Sequence, residues 1–177
     1  MPVAYIALGA NLPSSAGLPE ATLVATVERL TALGRITARS SLYSTAPVDF
    51  LDQPHFVNAV VAMETDRSPR ELLNGLLAIE QDFGRNRAAS SPNGPRTLDL
   101  DILIYGDLVL GASGLEIPHP RLAGRAFVLV PLHEIAPDLR DPRSGKTVAQ
   151  LLHALTDHLE PDVAKIECDP WTNHIVG

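Results

Sequence analysis

Ser68-Pro69-Arg70-Glu71-Leu72-Leu73-Asn74-Gly75-Leu76-Leu77-Ala78-Ile79-Glu80-Gln81-Asp82-Phe83-Gly84 decides how this chain folds. Ser68 is an N-cap, Pro69 suits the first turn, and Glu71 closes a capping box. Leu72, Leu76, Ile79 and Phe83 then fall on one stripe, and Gly84 stops the helix. Immediately before it, Phe56 to Thr65 is β-favouring through Val57, Val60 and Val61. After it, Leu98 to Tyr105 reads as a strand, with Gly106-Asp107 turning into Leu108-Val109-Leu110. Further upstream, Val3 to Leu8 is a short apolar strand ending at Gly9. Glu20 to Leu33 is a helix by the spacing of Leu23, Val27, Leu30 and Leu33, with Gly34 as its stop. Ile36 to Tyr43 alternates at strand period, and a loop follows from Thr45 to Pro54.

The order β-α-β-β-α-β is that of the ferredoxin-like split βαβ arrangement. It predicts an α+β fold with an antiparallel sheet and both helices on one face. The remainder forms C-terminal additions, including a helix over Thr147 to Leu155 and a strand near Val163 to Glu167. No linker or internal repeat divides the 177 residues, so residues 1–177 read as a single domain.

Composition narrows the function classes. A chain of 45% hydrophobic and 20% charged residues is ordinary globular material. Its net charge of −7 argues against a general nucleic-acid binder. The single cysteine, Cys168, cannot form an internal disulfide, and no Cys/His spacing suggests zinc. No signal peptide or membrane-spanning run is visible, which leads to the expectation of a soluble cytoplasmic protein.

The chemistry concentrates in Gly94-Pro95-Arg96-Thr97-Leu98-Asp99-Leu100-Asp101. Residues two apart in a strand share a face, so the carboxylates of Asp99 and Asp101 project together, roughly 6–7 Å apart at the backbone. Such a pair repels itself unless a cation lies between, and magnesium, an oxygen-seeking ion, suits it. A solvated acidic pair is the bland alternative. Arg85, Arg87 and Arg96, with no acid between them, weigh against it, because guanidinium forks match phosphate oxygens. Acids for metal beside arginines for phosphate is the layout of phosphoryl transfer. The loop from residue 85 to 96 is expected to be mobile, with Gly84 and Gly94 as hinges that let it close over substrate. Ile117-Pro118-His119-Pro120-Arg121, with Arg125, is a second polar knot, where His119 is read as either structural or a phosphate contact. His55, His133, His153, His158 and His174 show no motif. Gly9-Ala10-Asn11 lacks the glycine pattern of a nucleotide loop, and Asn11 is expected to brace a neighbouring loop.

These residues resemble the signature of the 6-hydroxymethyl-7,8-dihydropterin pyrophosphokinase family. The resemblance extends over about residues 3 to 140. It includes Ala4-Tyr5-Ile6-Ala7-Leu8-Gly9-Ala10-Asn11-Leu12, Tyr43-Ser44-Thr45-Ala46-Pro47, Asp52-Gln53-Pro54-His55-Phe56-Val57-Asn58-Ala59 and Ile117-Pro118-His119-Pro120. It implies transfer of the β,γ-diphosphate of ATP to a pterin hydroxymethyl group, release of AMP, and use of two magnesium ions. It implies Asp99 and Asp101 as metal ligands, and Arg85, Arg96, Asp99 and Asp101 as catalytic residues. ATP would be held by Glu80, Arg85, Arg87, Arg96, Ile102, His119 and Arg125. The pterin would lie among Thr45, Ala46, Pro47, Val48, Phe56, Asn58 and Phe127, with Asn58 on the ring edge and the two phenylalanines on its faces. ATP and the pterin would be its only partners, with no nucleic acid or membrane, and the chain is expected to act as a monomer, a homodimer being the alternative.

The chain departs from the family pattern at Pro92-Asn93, where Arg-Trp is common, and the loop is one residue longer. Pro120 stands for an aromatic, Leu77 for a glutamine and Ala46 for a proline. Two rival readings remain at this stage: a nucleotidyl transferase or phosphohydrolase using the same acids, and a ferredoxin-like ligand-binding module without catalysis.

Overall fold

The computed structural model describes residues 1–47, 52–85, 94–157, 162–167 and 171. Val48, Arg87, Pro92, Asn93, His158, Cys168 and His174 therefore lie outside the described residues, as does the segment 86–93 of the arginine loop.

Among the described residues six strands form the main sheet. β1 (Val3–Ala10) lies between β4 (Phe56–Glu64) and β5 (Asp99–Tyr105), antiparallel to both. β4 pairs on its other side with β2 (Arg35–Arg39) and β3 (Leu42–Thr45), and β8 (Val163–Ile166) adds to β3. The segment read as one strand, Ile36 to Tyr43, is thus two. Ser40 causes the break: its hydroxyl accepts the Val60 N–H at 2.9 Å, replacing a backbone carbonyl in the ladder.

α1 (Pro19–Leu30) and α2 (Pro69–Asp82) cover one face of the sheet. Leu23, Val27 and Leu30 of α1 and Leu72, Leu76 and Ile79 of α2 pack there against Ile6, Leu8, Val61, Leu100 and Ile102. The Ser68–Glu71 capping box forms as the sequence predicts, contributing about 1 kcal/mol. Gly84, at φ +88°, turns the chain away after α2, a conformation that glycine adopts at no steric cost.

The C-terminal additions cover the opposite face. α3 (Ala126–Ile135) and α4 (Val148–Thr156) pack Val128, Leu129, Leu132, Val148 and Leu151 onto Val60, Leu103 and Ile104. A bulge at Leu103, between the Tyr5–Ile104 and Ile6–Ile102 pairs, puts two consecutive apolar residues on that side. Leu108 and Val109 are not strand residues. The chain turns after Tyr105 and enters a separate ribbon of β6 (Leu110–Ala112) and β7 (Leu115–Ile117). This ribbon and the turn Leu122–Gly124 bring residues 119–125 beside Asp101.

Candidate active site

The strand register lays out the floor of the site. Asp99 of β5, Gly9 of β1 and Asn58 of β4 sit in one row across the sheet, with Asp101, Ala7 and Val60 in the next. Leu98, Leu100 and Ile102 enter the core under α1 and α2, so Asp99 and Asp101 both project from the α3 side, as period two predicts.

Two cavities meet at these acids. The first is lined by Gly9, Thr45, Ala46, Phe56, Asn58, Arg96, Asp99, Arg125 and Phe127. It gathers five of the positions that the resemblance assigns to a pterin: Thr45, Ala46, Phe56, Asn58 and Phe127. Pro47 is buried but off this lining. The second cavity, about 560 Å³, is bounded by Leu73, Asp101, Ile102, His119, Pro120 and the β6–β7 ribbon. A narrow space holding Asp99, Asp101, His119 and Arg125 joins the two. The sequence reading missed Gly9, Leu73 and the ribbon as walls. Gly9 and Leu73 carry no reactive group, and strand register, a face of α2 and a distant hairpin bring these walls here.

Asp99 is held from both sides. Arg85 pairs with its Oδ1, and the Arg96 Nη1 donates to its Oδ2 at 2.9 Å. The Arg85 side chain is 8% exposed, donates to the Leu98 carbonyl at 3.1 Å and lies 3.5 Å from Glu80. Glu80, 1% exposed, lines neither cavity and accepts the Leu100 N–H at 2.7 Å. Among the described residues β5 is an edge strand, and this carboxylate satisfies an amide on its outer side. Glu80 and Arg85 thus form a buried support behind the acid.

Asn11 ties the site together. Its Oδ1 accepts the Arg96 N–H at 2.9 Å, and its Nδ2 donates to Gln53 Oε1 at 2.9 Å and to the Pro54 carbonyl at 3.0 Å. The expected brace is therefore present, and it joins the segment leading to Phe56 with Arg96. The Arg96 guanidinium lies 5.6 Å from the Phe56 ring centroid, and that of Arg125 lies 5.4 Å from Phe127. Each aromatic wall is backed by a cation.

His119 donates its backbone N–H to the Leu103 carbonyl at 2.9 Å, and its Nδ1 accepts the Arg121 N–H at 3.1 Å. Its proton therefore belongs on Nε2, which stands 4.0 Å from Asp101. Burial, with repulsion from Arg125 and Arg121, pushes the imidazole pKa down to about 4 against the pull of Asp99. The ring is neutral at pH 7, so its contact with Asp101 is polar rather than ionic. Burial also lowers the Arg125 pKa, opposed chiefly by Asp101.

The donor set fits a hard divalent cation. Two carboxylates face one junction, partly exposed at 21% for Asp99 and 30% for Asp101. Among the described residues no group of three or more His, Cys, Asp or Glu side chains could cage an ion alone. A cation held here needs further oxygens from a ligand or water, which is how magnesium is ordinarily bound beside phosphates.

The family model for 7,8-dihydro-6-hydroxymethylpterin-pyrophosphokinase (HPPK) matches residues 5–137. A pyrophosphokinase of that substrate class from Pseudomonas aeruginosa is 46% identical over 150 residues, covering 85% of this chain and 90% of the relative. One from Haemophilus influenzae is 43% identical over 89% of this chain and 96% of the relative. One from Synechocystis is 57% identical over 100 residues, and there the match spans 56% of this chain and half of the relative. In fold, the chain is similar to a Plasmodium falciparum HPPK-DHPS crystal structure, with a TM-score of 0.75 over 94% of this chain and 48% of that one, at 14% identity. With three quarters of its length inside the family model and two relatives above 40% identity along nearly their whole length, the chain belongs to the 7,8-dihydro-6-hydroxymethylpterin-pyrophosphokinase family.

Proposed function

We propose that this chain transfers the β,γ-diphosphate of ATP to the hydroxymethyl group of 6-hydroxymethyl-7,8-dihydropterin and releases AMP. The observation that carries the reading is the projection of Asp99 and Asp101 from one strand face into the junction of two cavities. One cavity has the aromatic walls and amide floor that suit a flat heterocycle. The other has the volume and polar rim that suit a nucleotide.

Asp99 and Asp101 would hold magnesium, two ions in all, together with phosphate oxygens. When bound, magnesium shields the phosphate charge and polarises the reacting oxygens. The rest is positioning. Phe56 and Phe127 flank the ring, and Asn58, anchored by donating to Thr45 Oγ1 at 2.6 Å, presents its carbonyl side to the ring edge. This arrangement aims the hydroxymethyl oxygen at the β-phosphorus. As that O–P bond forms, the bond from the β-phosphorus to the bridging oxygen breaks. The electron pair leaves on the AMP phosphate, and the hydroxyl proton passes to solvent. Arg96 and Arg125 stabilise the charge that gathers on the departing oxygens. His119, neutral, can donate Nε2–H to a phosphate oxygen without needing protonation. The working unit is a cytoplasmic monomer of one domain that takes two small molecules and no nucleic acid.

Incubating the chain with the pterin, ATP and magnesium tests the reading. AMP and pterin diphosphate should form in equal amounts. ADP, free phosphate or diphosphate as the ATP product would favour the rival transferase or hydrolase, and no turnover would favour a binding module.

A further inference from the structure

Both carboxylate oxygens of Asp99 are engaged by guanidiniums, but the two arginines are differently placed. Arg85 sits behind the cavity wall, held additionally by Glu80 and by the Leu98 carbonyl. Arg96 is in the wall itself, with Nη1 on Asp99 Oδ2 at 2.9 Å and Nε on the Gly94 carbonyl at 3.1 Å. The described side chains around the junction also carry no excess of negative charge. Asp99, Asp101 and Glu80 are matched by Arg85, Arg96 and Arg125, and Arg121 adds a further positive charge near Arg125.

A bare divalent cation arriving here meets no net negative charge. To reach Asp99 it must displace a charge-assisted hydrogen bond and then stand beside the guanidinium it displaced. Magnesium also sheds its water reluctantly and needs a good oxygen set in return. A polyphosphate removes both obstacles. It brings the missing negative charge, supplies oxygens to the cation, and gives the Arg96 fork an alternative anion.

Resting on the diphosphate-transfer reading above, we propose that Arg96 guards Asp99, so that the cation enters this site only together with a polyphosphate. On entry the Arg96 guanidinium is exchanged from the Asp99 carboxylate to phosphate oxygens, while Arg85 stays in place as the buried support. Arg96 is then a positioning residue for the metal site as well as a phosphate contact. By linkage, the polyphosphate and the cation raise one another's affinity by the same factor.

Manganese(II) binding, read from the electron paramagnetic resonance signal of the free ion, tests this on the intact chain. Bare Mn2+ should bind the wild type at least about tenfold more weakly than it binds Arg96→Met, where Asp99 has lost its competitor. Adding Asp99→Asn to that variant should remove the gain. Equal affinity of wild type and Arg96→Met for bare Mn2+ overturns the proposal. Should Arg96→Met fail to fold, the wild type alone decides. Its Arg96 Nε–H nuclear magnetic resonance should be unmoved by bare Mg2+ and should shift when Mg2+ is added with the α,β-methylene analogue of ATP. Displacement of that resonance by bare Mg2+ overturns the proposal equally. The two readings fail separately: absence of AMP formation removes the reaction but not the guard, and tight binding of bare Mn2+ removes the guard but not the reaction.

Discussion

Gly9 of β1 stands directly opposite Asn58 of β4, and a side-chain carbon added at Gly9 would lie 2.7 Å from the Asn58 Oδ1. The amide that reads the proposed pterin edge therefore occupies space that only glycine leaves open. Gly9→Ala should push the Asn58 amide off its bond to Thr45 while leaving the second cavity intact. The expected outcome is a KM for the pterin raised about tenfold or more, with the KM for ATP within about twofold of wild type. Steady-state kinetics with each substrate varied separately checks it. A parallel rise in both constants would show that the substitution acts on the whole sheet rather than on Asn58.

Asp99 and Asp101 carry the proposed metal but differ in what removal leaves behind. Either alanine variant should lower AMP formation on the order of 10³-fold. Asp99→Ala also strips Arg85 and Arg96 of a shared partner, with Arg85 only 8% and Arg96 only 13% exposed. It should cost about 2–4 kcal/mol of stability, since a buried charge is left poorly compensated. Asp101→Ala should cost under about 1 kcal/mol, because that side chain is the more exposed. Urea denaturation beside the activity assay separates the two. Equal stability of the variants would mean that the Arg85–Asp99–Arg96 array contributes nothing to the fold.

The contrast between these two acids marks how far the sequence could be read. Their shared face follows from strand period alone, and the six-element pattern followed from helix caps, apolar stripes and glycine stops. The residues that surround Asp99 from other elements were less legible. Arg85 and Glu80 arrive from the end of α2, and their role as a support depends on β5 being an edge strand, which only the sheet order reveals. α3 was not read as a helix. Ala126 to Leu132 is apolar on every side, Pro131 lies inside it, and no side chain caps its N-terminus. An all-round apolar segment buried against a sheet shows no amphipathic period. Phe127, at the start of that helix, was therefore legible through family resemblance and not through local pattern, whereas Arg125 stood out locally beside His119 and Arg121.

Glu80 shows how a residue can matter to a site it does not face. It accepts the Leu100 N–H and neighbours Arg85 while 1% exposed. Glu80→Ala should leave an edge amide and a buried guanidinium short of an acceptor, costing about 2–4 kcal/mol. Glu80→Gln keeps an acceptor for the amide and should recover about half of that loss. Calorimetric melting of both variants is the measurement. If the glutamine variant is no more stable than the alanine one, the charge on Glu80, not its hydrogen bond, is what the fold requires.

His119 gives the fold a specific sensitivity to acid. Its pKa falls from the ordinary 6.5 to about 4, through burial first and then through Arg125 and Arg121, with Asp99 opposing. A histidine depressed in this way favours folding while neutral. The contribution is whole above about 6.5, diminishes as the unfolded chain takes up a proton below that, and is gone once the folded state is protonated near 4. Between those limits the wild type should lose stability faster than His119→Gln, which has no proton to take up. Denaturation midpoints measured on both chains across this interval isolate the effect, because the carboxylates that titrate there are common to both. Bound polyphosphate should counter the shift, since an anion beside the imidazole favours its charged form and raises the pKa. A histidine titration followed by nuclear magnetic resonance should therefore move upward when the α,β-methylene ATP analogue is added. Parallel stability profiles for the two chains, or a His119 titration near 6.5 in the free protein, would show that the ring is solvated and that Arg125 and Arg121 do not press on it.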